Sequence, residues 1–329
     1  MAATSTTETW DAAWTLTMRA KRKELTDNFF DAYPTLDMFR SGKALVTDNG
    51  GKEIQADLMY SGNSAQYFSG YDVLNTDAVD GVTAAFYPFR YAAVPITINY
   101  TEEMENRKSD AAMKLLAVKT EQSMLTLRDQ INASLYSAQT GKAPLGFQDI
   151  IADEPATTPT TLGGITISSN SWWKNKAENA TADTSFKTIV NTNFYEGMIR
   201  MSTLWNEVSE GNEQPTNIFT SNAIYADYEE IFEGTGYQRL TAKDKPGVDG
   251  RLPSFRGVPV QYDRDCASDR IYFLNTKYLK MHMQSGMNFA KSPFKEPANQ
   301  MAKVGFILIG LQITTNNRRR LGVVYNVND

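Results

Sequence analysis

The segment KSDAAMKLLAVKTEQSMLTLRDQINASLYS, residues 108–137, carries the strongest periodic pattern in the chain. Its apolar residues recur every three or four positions, as on one face of an α-helix; they include Met113, Leu116, Met124, Leu127, Ile131 and Leu135. Asp110 suits the first turn because a carboxylate offsets the positive helix N-terminus, and Gly141 follows the end. We therefore predict one helix of about 45 Å, at 1.5 Å per residue. Heptads do not hold, which favours a helix lying along its own domain over a coiled coil.

Composition excludes several classes of protein. The chain has 329 residues, of which 41% are hydrophobic, and a formal net charge of −5, enough for one large or two ordinary domains. The acidic balance argues against a protein whose main task is to grip DNA. No run reaches the roughly 18 to 20 apolar residues of a membrane span. The N-terminus MAATSTTETW lacks the basic and apolar parts of a signal peptide, so we expect folding in a cytoplasm and no membrane partner.

A single histidine and a single cysteine leave little room for catalysis. A zinc site needs several converging Cys or His ligands, and a serine or thiol nucleophile needs a nearby base. His282 lies between two methionines on a strand-like run, which favours a structural role, and Cys266 cannot form an internal disulfide. No Walker motif and no complete dinucleotide-binding glycine motif occurs. We therefore predict no enzyme activity, no cofactor and no metal site.

The nearest approach to a carboxylate cluster is YDRDCASDR, with Asp263, Asp265 and Asp269. Residues two apart on a strand share a face, so Asp263 and Asp265 could act as an acid–base pair or hold a hard cation. Arg264 and Arg270 can neutralise them, and an ion-paired turn is the favoured interpretation. A metal-dependent hydrolase remains a distant alternative.

Two segments carry features that need a partner outside their own domain. Trp10 and Trp14 stand four residues apart in a predicted amphipathic helix over residues 8–33, whose other face is basic. These tryptophans need a hydrophobic partner, which a neighbouring copy can supply, so deleting residues 1–33 should abolish assembly. Residues 43–60 alternate with period two about the turn DNGG, which predicts a hairpin. The long polar stretch that follows predicts an extended excursion from the domain.

The rest of the chain mixes helices and short strands, which predicts an α+β fold. Helices are predicted over residues 186–205 and 223–232, and strands over residues 218–221, 251–263, 270–275, 277–283, 304–313 and 321–326. The adjacent Trp172 and Trp173 must point in different directions, so at most one of them fills a local core.

Several segments follow one another along the chain in a distinctive order: ITINYTEEMEN, DQINASLYS, LGFQDIIADEPATTPTTLGGI followed by SWWKN, FTSNAIYADYE, SFRGVPVQYDRDC, IYFLNTKYL and GLQITTNNRRRLGVV. In this order and spacing they resemble the major capsid protein of tailed bacteriophages, the Hong Kong ninety-seven or Johnson fold. The resemblance covers nearly the whole chain. It implies an N-terminal arm (1–40), an extended β-hairpin called the E-loop (41–95), a peripheral domain with the long spine helix (96–184), an axial domain (185–265) and return strands of the peripheral domain (266–329).

The resemblance also implies a function. Such proteins form pentamers and hexamers that close into an icosahedral shell around packaged double-stranded DNA, which they contact non-specifically. Scaffold, portal and decoration proteins are further candidate partners. The implied location is the virion capsid, assembled in the bacterial host cytoplasm. An encapsulin-type compartment, which shares the fold and encloses cargo enzyme, is the alternative.

Arg318, Arg319 and Arg320 connect two strand-like runs of this acidic chain. We expect them at the turn of a terminal hairpin, with Arg318 and Arg320 on one side and Arg319 on the other, in ion pairs with a neighbouring copy's carboxylates. Contact with DNA phosphates is the alternative; the acidic net charge favours the subunit contact. Replacing Arg319 and Arg320 with alanine should disrupt shells seen by electron microscopy, and intact shells would contradict the hypothesis.

Overall fold

A computed structural model describes residues 33–63, 65–77, 79–105, 109–180, 185–190, 194–234 and 253–327. Trp10, Trp14 and nearly all of the predicted N-terminal helix lie outside these residues. The described part is α+β, as the sequence predicts.

The helices and strands follow one another in a mixed order. The helices are α1 (Pro34–Ser41), α2 (Tyr100–Glu105), α3 (Ser109–Tyr136), α4 (Phe147–Ile150), α5 (Glu196–Val208) and α6 (Asn222–Gly234). The strands are β1 (Leu45–Asp48), β2 (Glu53–Met59), β3 (Val82–Pro88), β4 (Arg90–Asn99), β5 (Thr161–Leu162), β6 (Ile165–Thr166), β7 (Lys176–Asn179), β8 (Ile189–Val190), β9 (Phe194–Tyr195), β10 (Asn217–Thr220), β11 (Ser254–Phe255), β12 (Val258–Tyr262), β13 (Ile271–Leu274), β14 (Leu279–Gln284), β15 (Ala290–Lys291), β16 (Ala302–Thr315) and β17 (Gly322–Tyr325). Short 3-10 turns lie at Ser171–Trp173, Ser285–Met287 and Arg318–Arg320.

The predicted long helix is confirmed as α3, which has 28 residues. Leu116, Met124, Leu127, Ile131 and Leu135 are buried on one face of this helix, which packs against β4. β4 presents its own alternating buried residues to that face, namely Val94, Ile96 and Ile98. Burial of these two apolar faces against each other holds the helix along the sheet.

The sheet beside α3 has five strands in the order β1, β14, β16 and β15, with β4 also paired to β16. β16 pairs with β4 over its first ten residues, 302–311, and with β14 over residues 311–315. β1 pairs in parallel with β14, with Leu45 opposite Met281. The hairpin predicted about DNGG is therefore wrong, because β1 belongs to this sheet while β2 pairs with β3. Periodicity shows that a segment is a strand but does not show which distant strand it joins.

A second sheet has six strands in the order β11, β12, β10, β13, β17 and β7, and shares its own apolar core with α5 and α6. The predicted division at residues 265 and 266 cuts this sheet, because β13 and β17 lie within it. Of the strands after residue 265, β14 and β16 lie in the five-stranded sheet beside α3.

The helix predicted over residues 186–205 begins ten residues late, at Glu196. The residues before it include the small hairpin of β8 and β9, and Phe186 folds back onto the first turn of α5. Its ring fills the space where a side chain at position 197 would lie, since a Cβ on Gly197 would sit 2.0 Å from Phe186 Cδ2. Because Gly197 has no side chain, the ring of Phe186 can pack directly against the first turn of α5.

Candidate assembly surface

The hairpin formed by β2 and β3, residues 53–88, has one buried and one exposed face. Ile54, Leu58, Ala85 and Tyr87 are buried, while the alternate residues are mostly exposed. The hydroxyl of Tyr87 donates to the carbonyl of Thr315 at 2.9 Å, which attaches the hairpin to the end of β16. Burial raises the pKa of Tyr87, so this hydroxyl keeps its proton at neutral pH. The base of the hairpin is thus fixed to the five-stranded sheet.

Two further contacts clamp the base. The N–H of Phe86 donates to the carbonyl of Gly163 at 3.0 Å, in the turn between β5 and β6. Gly163 has a φ of 61° and lies directly against Ala85, a position that favours glycine. The ring of Trp172 stacks on Tyr60 with 4.9 Å between centroids. Trp173 is fully buried, so the prediction that only one of the adjacent tryptophans fills the local core is confirmed.

The tip of this hairpin, residues 61–81, exposes aromatic side chains that lie outside both hydrophobic cores. Every described residue from 60 to 80 is exposed. Tyr67, Phe68 and Tyr71 are 107%, 66% and 105% exposed. The hairpin is also acidic, because residues 53–89 contain no Lys or Arg and carry Glu53, Asp57, Asp72, Asp77 and Asp80. A surface complementary to this hairpin would therefore be apolar and basic.

Arg318 is fully buried in its own chain, which corrects its assignment to a contact between copies. Its guanidinium donates to the carbonyls of Ile150 (2.7 Å) and Trp173 (3.0 Å) and to Oδ1 of Asn175 (3.0 Å). The prediction of a terminal hairpin is also wrong, because β16 and β17 belong to different sheets. Burial lowers the pKa of Arg318 to about 10, so it remains a cation at neutral pH.

Arg319 and Arg320 lie in different environments. Arg320 donates to the carbonyl of Val208 at 3.2 Å and forms an ion pair with Glu210, both within its own chain. Arg319 is exposed. The alternation of a strand does not apply here, because the three arginines form a 3-10 turn. The contact between copies stays a prediction for Arg319.

Asp263 lies buried at the end of β12 and holds three elements together. Thr35 Oγ1, in α1, donates to Oδ2 at 2.7 Å, and Asn132 Nδ2, in α3, donates to Oδ1 at 2.8 Å. Asn132 also donates to Asp265 at 2.7 Å, so Asp263 and Asp265 share a side as predicted but face an amide. Asp265 forms the predicted ion pair with Arg264. Among the described residues, no group of three His, Cys, Asp or Glu side chains is placed to hold a metal ion.

Replacing Asp263 with alanine should lower the free energy of unfolding by about 3 kcal/mol, because the buried Thr35 and Asn132 would each lose a charged acceptor and Asn132 would keep only Asp265. Urea denaturation measures this change. Asp269→Ala is the control, since the partly exposed Asp269 should contribute less than about 0.5 kcal/mol. Equal effects in the two variants would contradict the structural role. Addition of a divalent cation should leave the melting temperatures of the wild type and of both variants unchanged. A shift in the wild type that is absent from Asp263→Ala would favour the hydrolase alternative.

His282 and Cys266 occupy structural positions. His282, in β14, contacts Asp48 at the end of β1, with Nδ1 and Oδ2 2.6 Å apart. Cys266 is buried, and burial raises the pKa of its thiol, which makes a thiolate nucleophile unfavourable.

No helix among the residues that the structure describes is long and apolar enough to cross a membrane.

No family model matches the chain, and no curated protein matches it in sequence. Solved structures match it along nearly its whole length. A chain of the Cyanophage A-1(L) capsid has 15% identity and a TM-score of 0.68, with 90% of this chain and 93% of that chain covered. A chain of the capsid of Myoviridae phage XM1 has 12% identity and a TM-score of 0.53, with coverage of 88% and 91%. The SrpI encapsulin of Synechococcus elongatus PCC 7942 has 8% identity and a TM-score of 0.56, with coverage of 88% and 87%.

These likenesses confirm the predicted fold: the chain has the fold of phage capsid proteins, which the encapsulin shares. The sequence predicts the long excursion before residue 89 but does not single out Tyr67, Phe68 and Tyr71 within it. A signal was present, because a stretch rich in aromatic residues and acidic residues contains no basic residue. No comparable signal pointed to Thr35 and Asn132, whose roles depend on where distant elements meet.

Proposed function

We propose that this chain is a major capsid protein, a structural protein whose copies assemble as pentamers and hexamers into an icosahedral shell around phage double-stranded DNA. The observation that carries the proposal is the hairpin tip, whose exposed aromatic residues Tyr67, Phe68 and Tyr71 lie on a fold found in phage shells. A monomer gains nothing from exposing these rings, whereas a neighbouring copy can bury them. Scaffold, portal and decoration proteins are the further partners of this role.

In the proposed shell, the hairpin tip of one copy docks on an apolar and basic surface of the next. Such a combination exists in the sequence of residues 8–33, where Trp10 and Trp14 accompany Arg19, Lys21, Arg22 and Lys23. Opposite charges would bring the two segments together, and burial of the aromatic rings would hold them. Arg319 offers one more exposed cation, which would meet a neighbour's carboxylate or packaged DNA.

Deleting residues 1–32 should abolish closed shells and leave a folded monomer, because the tryptophans would no longer reach a neighbouring copy. The deletion stops before Tyr33 because this residue supports the chain's own fold. Its hydroxyl donates to Asp129 at 2.8 Å, and the guanidinium carbons of Arg128 and Arg264 lie 5.4 and 5.5 Å from the centroid of its ring. Size-exclusion chromatography and electron microscopy measure the outcome. Normal shells from the truncated chain would remove the arm from the proposed assembly.

Negative-stain electron microscopy with light scattering tests the proposed function on the protein expressed alone and with a candidate scaffold. Closed shells or capsomer rings are expected, and persistent monomers in both preparations would contradict the proposal. The content of shells recovered from the native source separates the two shell functions. DNA protected from nuclease supports the phage capsid, and packed protein cargo supports an encapsulin-type compartment, which the SrpI likeness keeps as the second candidate.

A further inference from the structure

We propose that Asn49 is a site of spontaneous covalent modification, in which its side-chain amide converts to a carboxylate through a succinimide. Asn49 and Gly50 form the one Asn-Gly sequence in the chain. They lie in the link between β1, which belongs to the five-stranded sheet, and β2, which belongs to the hairpin. The modification would therefore change the point from which the hairpin leaves the body of the protein. It does not depend on the proposed capsid function.

The fold leaves this link open. An Asn-Gly pair in a two-residue hairpin turn is held by the paired strands on both sides, but β1 and β2 do not pair with each other. Asn49 and Gly50 are both exposed, and no atom lies within 4 Å of the position that a Cβ on Gly50 would occupy. Neither residue makes a hydrogen bond within the part of the chain that the structure describes. The main-chain nitrogen of Gly50 is therefore free to approach the Asn49 side chain.

A comparable pair within the hairpin, Asp80 and Gly81, has the opposite arrangement. Gly81 is buried, and its carbonyl accepts the N–H of Tyr60 at 2.9 Å. A Cβ on Gly81 would sit 2.2 Å from the carbonyl oxygen of Ser61, so Gly81 packs directly against the main chain of the facing segment. Because ring closure needs rotation about both residues of the pair, the fold should suppress it at position 80 and permit it at Asn49.

The chemistry consumes only water and requires no oxidant or reductant. The Gly50 main-chain nitrogen loses its proton to hydroxide and attacks Cγ of Asn49. A new N–C bond closes the ring as the bond to the side-chain nitrogen breaks, and ammonia leaves. Water then opens the succinimide. Cleavage of the new bond at Cγ gives aspartate, and cleavage at the main-chain carbonyl gives isoaspartate, which adds one carbon to the main chain.

Either product places a new carboxylate beside Asp48. The Asp48 carboxylate contacts His282 at 2.6 Å and fixes the end of β1 on β14. Isoaspartate also lengthens the link that begins at this contact. The modification thus alters both the charge and the length of the connection between the five-stranded sheet and the hairpin.

The test uses the purified, unassembled full-length chain and its Asp80→Asn variant, which creates a second Asn-Gly pair in the constrained position. Both proteins are incubated in heavy-oxygen water at mildly acidic and mildly alkaline pH, and peptide mass spectrometry follows oxygen uptake at each position. We expect Asn49 to convert at least about tenfold faster than position 80 of the variant, a ratio equivalent to about 1.4 kcal/mol in activation free energy. Conversion should accelerate at alkaline pH, because the attacking nitrogen must lose a proton.

Unfolding in urea provides the control, since both pairs should then convert at similar rates. Faster or equal conversion at position 80 in the folded variant would overturn the proposal. If Asp80→Asn does not fold, the rates at Asn49 in the folded and the urea-unfolded wild-type chain provide the test. A folded-state rate at Asn49 within about threefold of the urea-unfolded rate supports an open link, and protection of about tenfold or more overturns it. Asn49→Gln should show no uptake at this position on the same timescale.

Discussion

A triple variant, Tyr67→Ser, Phe68→Ser and Tyr71→Ser, is expected to remain a folded monomer and to lose closed shells completely. The three rings contribute little to the monomer because they lie outside both hydrophobic cores and are largely or fully exposed. Burying an aromatic side chain in an interface contributes about 2 kcal/mol. Each copy in a shell would lose this contribution at three positions, about 6 kcal/mol in all. Electron microscopy and light scattering measure assembly, and circular dichroism measures the melting temperature.

Conservative variants provide the matched control for this experiment. Tyr67→Phe and Tyr71→Phe keep the ring and remove only the hydroxyl, so shells should form as in the wild type. A triple serine variant that assembles normally would contradict the proposed role of the tip. A triple variant with a melting temperature much below that of the wild type would show instead that the rings support the monomer.

The sequence predicted those elements whose pattern is local. α3 and most of the strands were expected within a few residues, because a helical stripe or a two-residue alternation is visible within one segment. Strand pairing was not predictable in the same way. β1 was expected to pair across DNGG with its neighbour in sequence, but it pairs with β14, more than 230 residues away in the chain. Such pairing depends on the surfaces that remain to be covered after the local elements have formed.

The candidate site was likewise predictable only in part. The long excursion before residue 89 and the arginine triplet are visible in the sequence, because length and composition distinguish them. The fate of each arginine was not predictable, since Arg318, Arg319 and Arg320 are chemically identical and adjacent. Burial of the first follows from the meeting of α4, the 3-10 turn at Ser171–Trp173 and Asn175, which come from other parts of the chain.

Arg318 occupies the junction between the two sheets. β16 ends just before it in the five-stranded sheet, and β17 begins just after it in the six-stranded sheet. The guanidinium donates to the carbonyls of Ile150 and Trp173. These two residues lie before and after β5 and β6, whose turn contacts the base of the hairpin. A planar group with donors on several sides can satisfy acceptors from separate segments at once, which an ammonium group cannot do with the same geometry. Arg318 therefore couples the two sheets and the base of the hairpin.

Arg318→Met is expected to lower the free energy of unfolding by about 3–5 kcal/mol, because it leaves the buried carbonyls of Ile150 and Trp173 without this donor. Oδ1 of Asn175 would keep only the N–H of Ala152. Arg318→Lys, which keeps the charge but not the planar donors, should be destabilised by a smaller amount. The neighbouring Arg319→Ala is the matched control and should change the free energy by less than about 0.5 kcal/mol, because that side chain is exposed. Urea denaturation monitored by tryptophan fluorescence measures all three, and the buried Trp173 lies beside the altered position. A methionine variant within about 1 kcal/mol of the wild type would show that the buried cation is not needed for stability.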